Sequence, residues 1–105
     1  MILGPSGQNI YPEEIEAVIN NKDYIVESVV ILVDNKLIAL VFPDYEMLKR
    51  DNISEDQLIE YLDKTRKEVN ERLPEFMDIN KLRVHPEEFA KTPKRSIKRF
   101  LYTKE

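Results

Sequence analysis

An α+β domain, with helices packed on a small antiparallel β-sheet, is the fold class predicted by this sequence, and three observations carry it. Two β-branched runs, Ile25–Val33 and residues 36–42, meet at Asp34-Asn35, two residue types that tolerate the positive φ of a tight hairpin turn. A long pattern of helical spacing follows, with Leu58, Leu62, Thr65, Val69 and Leu73 recurring until Pro74 stops the run. Residues 82–85 then read as a third short strand, with Leu82 and Val84 sharing a face.

The remaining elements follow from local chemistry. The opening 3–9 segment is a turn-rich loop that holds both glycines of the chain, Gly4 and Gly7. Pro12 suits a first helical position and Glu13 and Glu14 favour the positive end of the helix dipole. Ile15, Val18 and Ile19 add an apolar stripe, so residues 12–20 are read as a short helix. Pro43 closes the hairpin, and residues 45–49 make a helical turn. Ser54 with Gln57 three residues later is a capping box, which starts the long helix over 54–73. No internal repeat or long linker divides the chain, and 105 residues suffice for one domain with its own core.

Composition narrows the function. Hydrophobic residues at 42% and charged residues at 34% fit a globular protein rather than a disordered tail. The absence of cysteine excludes disulfides, thiolate metal sites and a cysteine nucleophile. The longest apolar stretches, 29–33 and 37–42, fall far short of the ~20 residues that span a bilayer, and the first ten residues lack the basic start of a signal peptide. The cytoplasm is the default compartment. A net charge of -4 conceals an asymmetry: the last 17 residues hold six Lys and Arg against one acid. Such a block is a solvated tail or a receptor for phosphate or an acidic surface.

Two segments at opposite ends carry a resemblance. Gly4-Pro5-Ser6-Gly7-Gln8-Asn9-Ile10-Tyr11-Pro12-Glu13-Glu14-Ile15-Glu16 resembles the loop-to-helix motif that follows the hinge in adenylate-forming enzymes, with Gly7, Ile10, Pro12, Glu14, Ile15 and Glu16 matching. Lys91-Thr92-Pro93-Lys94-Arg95-Ser96-Ile97-Lys98-Arg99 resembles the C-terminal signature of the same enzymes, where Lys91, Thr92, Ile97 and Arg99 match. The intervening hairpin and long helix also suit that family's C-terminal domain, and the run from Lys91 to Tyr102 looks most like fatty-acid-CoA ligases of the long-chain type.

The resemblance implies that residues 1–105 are the mobile C-terminal domain of an AMP-forming acyl-CoA synthetase whose N-terminal adenylating domain and hinge precede Met1. Such an enzyme forms an acyl-adenylate from a carboxylic acid and ATP, then passes the acyl group to the thiol of CoA. The C-terminal domain rotates between the two half-reactions. Magnesium, the phosphate loop and the acyl pocket are expected in the adenylating domain, so the isolated chain is expected to be inactive.

The resemblance also assigns residues. The family's signature lysine supplies positive charge to the carboxylate and α-phosphate, but its position here is Ser96, whose hydroxyl cannot. Lys94 and Lys98 flank the gap and Arg95 adjoins it; Lys94 is the first choice of replacement, and Arg95 is a phosphate ligand. Gly7 inherits the glycine that lines the channel for the pantetheine arm, with Ser6 and Gln8 as its neighbours. The rival reading is a non-catalytic interaction module that kept the fold and lost the lysine.

Other candidates have plain structural explanations. The basic tail has no accompanying nucleic-acid motif on an otherwise acidic chain. His85, the sole histidine, has no visible ligand or nucleophile partner and reads as a strand-end residue. Glu13-Glu14 and Glu87-Glu88 are adjacent pairs, which do not face one another on a helix. The Leu58–Leu73 stripe is core, with Ile59 and Tyr61 left unplaced.

Overall fold

A computed structural model describes residues 2–4, 7–98 and 101–102. Two short strands, β1 (Ile2–Leu3) and β2 (Asn9–Ile10), pair antiparallel around the opening loop. Helix α1 (Pro12–Asn20) leads into β3 (Ile25–Val33) and β4 (Lys36–Pro43), then α2 (Tyr45–Arg50), α3 (Glu55–Glu71), a 3-10 turn (Glu75–Met77) and β5 (Ile79–Val84). The boundaries follow local chemistry. Pro12 opens α1, and Asp34 and Asn35 turn the hairpin at φ 49° and 64°. The Ser54 hydroxyl accepts from the Gln57 amide while the Gln57 side chain accepts from the Ser54 amide.

The sheet order is β3-β4-β5. The expectation of an antiparallel sheet holds for the hairpin but not for the third strand: β5 runs parallel to β4, with Leu37 opposite Ile79 and Val41 opposite Val84. The cause lies in the connection, because α2 and α3 form a crossover long enough to return the chain to its starting end, and a parallel pair requires one. The strand also begins at Ile79 rather than Leu82, and His85 lies just beyond it, its amide still bonded to the Val41 carbonyl at 2.7 Å. The β1–β2 pair and the 3-10 turn are further elements that periodicity did not reveal.

Both faces of the sheet are buried, which explains the nearly continuous apolar character of β3 and β4. One face, with Val30, Leu37, Ala39 and Val41, packs with Ile10, Ile15 and Ile19 and with Leu58, Leu62 and Val69 of α3. The other, with Val29, Ile31, Ile38 and Leu40, is closed by Phe89 and by Ile97 and Tyr102 of the C-terminal segment. The alternation breaks twice: in β5, a shift in the pairing with β4 between Leu37 and Ile38 puts Ile79 and Leu82, of opposite parity, in the same helix-side core. In β3, a register shift between Ile25 and Glu27 places Ile25 in the helix-side core, although it has the same parity as Val29 and Ile31.

The outer edge of β3 is covered by α1. The buried Glu16 carboxylate accepts from the Val30 amide at 2.7 Å, and the Ser28 hydroxyl donates to the Asn20 side chain at 2.8 Å. These contacts satisfy groups that an open edge leaves to solvent or to aggregation. At the start of β5, the Asn70 amide both donates to and accepts from the Ile79 backbone, at 3.0 and 2.8 Å.

Candidate functional site

The opening loop is drawn tight by two backbone bonds: the Gly4 amide donates to the Gln8 carbonyl at 2.8 Å, and the Gly7 amide to the Gly4 carbonyl at 3.0 Å. Its two glycines serve different ends. A Cβ on Gly4 would meet Ile10 Cδ1 at 2.8 Å and the Gln8 carbonyl oxygen at 3.3 Å, so Gly4 lets the loop pack closely against the fully buried Ile10. Gly7 has φ +84° and open space where a Cβ would stand, so its requirement is conformational and its backbone is accessible from outside. Gln8 is exposed beside it, whereas Ser6 lies outside the described residues. Ile10, Pro12, Ile15 and Ile19 are buried, fixing the loop and α1 to the helix side of the sheet.

The basic signature folds as a hairpin. Lys91 pairs with Ile97, the Thr92 amide donates to the Ser96 carbonyl at 2.7 Å, and the Lys98 amide to the Ala90 carbonyl at 2.7 Å. The Arg95 amide closes a tight turn on the Thr92 carbonyl at 2.8 Å, with Pro93 in the position that suits its fixed φ. Arg95 itself has φ +64°, the left-handed conformation that a hairpin of this shape commonly gives to glycine.

Lys94, Arg95 and Ser96 are exposed at the tip, and Lys98 is partly buried. The Ser96 backbone is committed, its amide donating to the Thr92 hydroxyl at 3.2 Å. In the pleat of the returning strand, Ser96 and Lys98 lie on the face opposite Ile97, which points into the sheet. The turn therefore gathers Lys94, Arg95 and Ser96, with Lys98 sharing the Ser96 side. Two cations and a hydroxyl on an exposed turn suit the oxygens of a phosphate. Arg99 lies outside the described residues.

The hairpin is clamped onto the sheet at its base. The Lys91 ammonium donates to the Glu27 carboxylate at 2.5 Å, and that hydrogen bond holds the Lys91 pKa above its ordinary value. The Ala90 amide donates to the Tyr102 hydroxyl at 2.7 Å. Tyr102 meets Phe89 and His85 edge-on at 5.1 and 5.4 Å, and His85 stacks on Phe89 at 4.7 Å. His85, a strand-end residue in the sequence reading, thus serves in an aromatic clip. The sequence singled out Lys91 but not Glu27, Phe89 or Tyr102, whose roles arise from contacts distant along the chain.

The two motifs therefore attach to opposite faces of one sheet, the glycine loop with the helix-side core and the hairpin with the other. Among the described residues no group of three or more His, Asp or Glu side chains converges to hold a metal, and no helix is long and apolar enough to cross a membrane. An open cleft of about 290 Å³ beside Lys36, Arg66, Asn70 and Phe76 contains none of the motif residues.

The fold has well-defined counterparts. An adenylation domain of a carboxylate reductase from Mycobacterium chelonae superposes with a TM-score of 0.80 at 18% identity, over 95% of this chain and 17% of that one. An ATP-bound RpMatB-BxBclM chimera gives 0.73 at 20% identity, over 99% and 20%. An acyl-CoA synthetase from Brucella canis gives 0.72 at 21% identity, over 94% and 18%. The chain thus spans about a fifth of the length of these proteins. No curated protein matches it. The sequence profile described as AMP-binding enzyme C-terminal domain matches residues 1–105. Across its whole length, the chain belongs to the family of AMP-binding enzyme C-terminal domains.

Proposed function

We propose that this chain is the mobile C-terminal domain of an ATP-dependent, AMP-forming fatty-acid-CoA ligase, turning between acyl-adenylate formation and transfer of the acyl group to CoA. The observation that carries the reading is the attachment of the two motifs to opposite faces of one sheet. A domain so built can present one motif at a time to a single reaction centre, which suits two half-reactions with different needs at one carbonyl.

In the adenylating orientation the hairpin faces the reactants. Lys94 at the turn supplies the point charge that Ser96 cannot, and Arg95 and Lys98 add positive potential for phosphate oxygens. In the thioester orientation the opening loop faces CoA. Gly7, between Ser6 and Gln8, lets the pantetheine arm pass close to backbone where a side chain would obstruct the thiol. ATP and CoA are co-substrates, and magnesium belongs with a preceding adenylating domain that also supplies the acyl pocket. The assembly is read as cytoplasmic, and the 105-residue chain alone as inactive.

The test is acid-dependent ATP–pyrophosphate exchange by the full-length enzyme with a panel of fatty acids. Exchange that falls in Lys94→Ala, with thioester formation lost in Gly7→Leu while exchange persists, is the expected pattern. Absence of exchange with every acid would overturn the reading. Ser96 itself favours a second one, a non-catalytic interaction module that has kept the fold without the lysine; the same absence of exchange, in a well-folded protein, is its signature.

A further inference from the structure

We propose that Glu27 and Lys91 form a latch that positions the signature hairpin for the adenylation half-reaction alone, an inference that rests on the function proposed above. Glu27 reaches the hairpin because of the irregularity in β3. Strict alternation from Ile25, which is buried in the helix-side core, would send Glu27 to that same apolar face. The register shift between Ile25 and Glu27 inserts Val26, and two residues at the same parity then serve opposite faces. The carboxylate emerges on the face that carries Phe89 and Ile97, where the Lys91 ammonium meets it at 2.5 Å.

The latch acts at the hairpin's base. Lys91 is paired with Ile97 across the hairpin, and the next residue, Thr92, holds both ends of Ser96 through its amide and its hydroxyl. Fixing Lys91 to the sheet therefore fixes the frame from which Lys94, Arg95 and Ser96 project. Apolar contact by Ile97 sets the depth of the hairpin but resists sliding poorly, because apolar attraction is non-directional. A hydrogen-bonded ion pair at the base supplies the missing direction. With Glu27 20% and Lys91 35% exposed, it is partly shielded from solvent. The opening loop is held by Ile10 on the other face, so its position does not depend on this pair. Lys91 and Glu27 are positioning residues: they touch neither substrate nor cofactor in this scheme.

The experiment compares wild type, Lys91→Gln, Glu27→Gln and the charge-swapped Glu27→Lys/Lys91→Glu. On the 105-residue chain, hydrogen exchange of the Thr92 and Lys98 amides is expected to speed up about threefold in each single variant and to return toward wild type in the swap. In the full-length enzyme, the single variants are expected to slow ATP–pyrophosphate exchange about tenfold in kcat, with KM for ATP within about twofold of wild type. Thioester formation from supplied acyl-adenylate stays unchanged, and the swap recovers exchange. Unchanged amide protection in both single variants would overturn the latch, as would equal loss of both half-reactions or a swap that restores neither readout. If wild type shows no pyrophosphate exchange, the proposed function fails instead, and amide protection still decides whether the latch exists.

Discussion

Glu16 belongs to the motif by which the chain resembles its family, yet its contacts assign it a structural task, and that assignment can be tested. Its carboxylate is 7% exposed and accepts from the Val30 amide at 2.7 Å, on the edge of β3 that no strand covers among the described residues. Glu16→Ala removes a hydrogen bond to a charged group and leaves a buried amide without that acceptor, a loss of about 2–3 kcal/mol. In a domain of this size each kcal/mol moves the melting temperature by roughly 4–8 °C, so a fall of about 8–24 °C is expected. Glu16→Gln keeps an acceptor of nearly the same shape and sheds the cost of burying a charge, and should stay within about 1 kcal/mol of wild type. Thermal melts by circular dichroism read both variants, and exchange of the Val30 amide locates the damage. Equal losses in the two variants, or a Glu16→Ala melt within about 2 °C of wild type, would refute edge capping as the reason for a glutamate here.

Three further outcomes are expected. Arg95→Gly should stabilise the fold by about 0.5 kcal/mol, because relief of a left-handed residue outweighs the added freedom of glycine in the unfolded chain; urea midpoints measure it. Ser96→Lys should leave the rate of ATP–pyrophosphate exchange in the full-length enzyme within about twofold of wild type, because Lys94 already supplies the cation at the developing charge, and a gain of about tenfold would mean that the role is vacant. Asp51, whose carboxylate accepts from Arg50 and from the Tyr24 hydroxyl, is held below the usual aspartate range by those bonds. Its stabilising contribution is complete above about pH 4 and is lost as pH falls through its lower folded-state value, so the stability gap between wild type and Asp51→Asn should close in acid.

Most of the fold was legible because its signals are local. The α1 boundaries, the Asp34-Asn35 turn and the Ser54-Gln57 capping box depend on residues within one turn of each other, and each stands where the sequence put it. The direction of β5 was not legible, since strand alternation reads identically forwards and backwards and only the crossover decides it. Nor was the bulge: residues 25–33 form an unbroken β-prone run, and the shift appears only when Ile25 and Val29 are seen in different cores. At the candidate site, the turn around Pro93 and the need for Gly7 follow from residue type. The Glu27–Lys91 pair spans 64 residues and has no sequence signature. Ile59, unplaced by pattern, is 60% exposed on α3, and nothing in the structure explains it.

The cover on the second face of the sheet has a consequence for the order in which the molecule assembles. The β3–β4 hairpin closes through neighbouring residues and can form within microseconds, whereas β5 must wait for α2 and α3 to bring it back. Phe89, Ile97 and Tyr102 can dock only on a sheet that already exists, so the segment bearing the signature hairpin settles after the sheet. Lifting that segment would bare Val29, Ile31, Ile38 and Leu40 while leaving the helix-side core packed. The hairpin proposed to serve catalysis thus also guards an aggregation-prone surface, and variants that loosen it should lose solubility before they lose helicity.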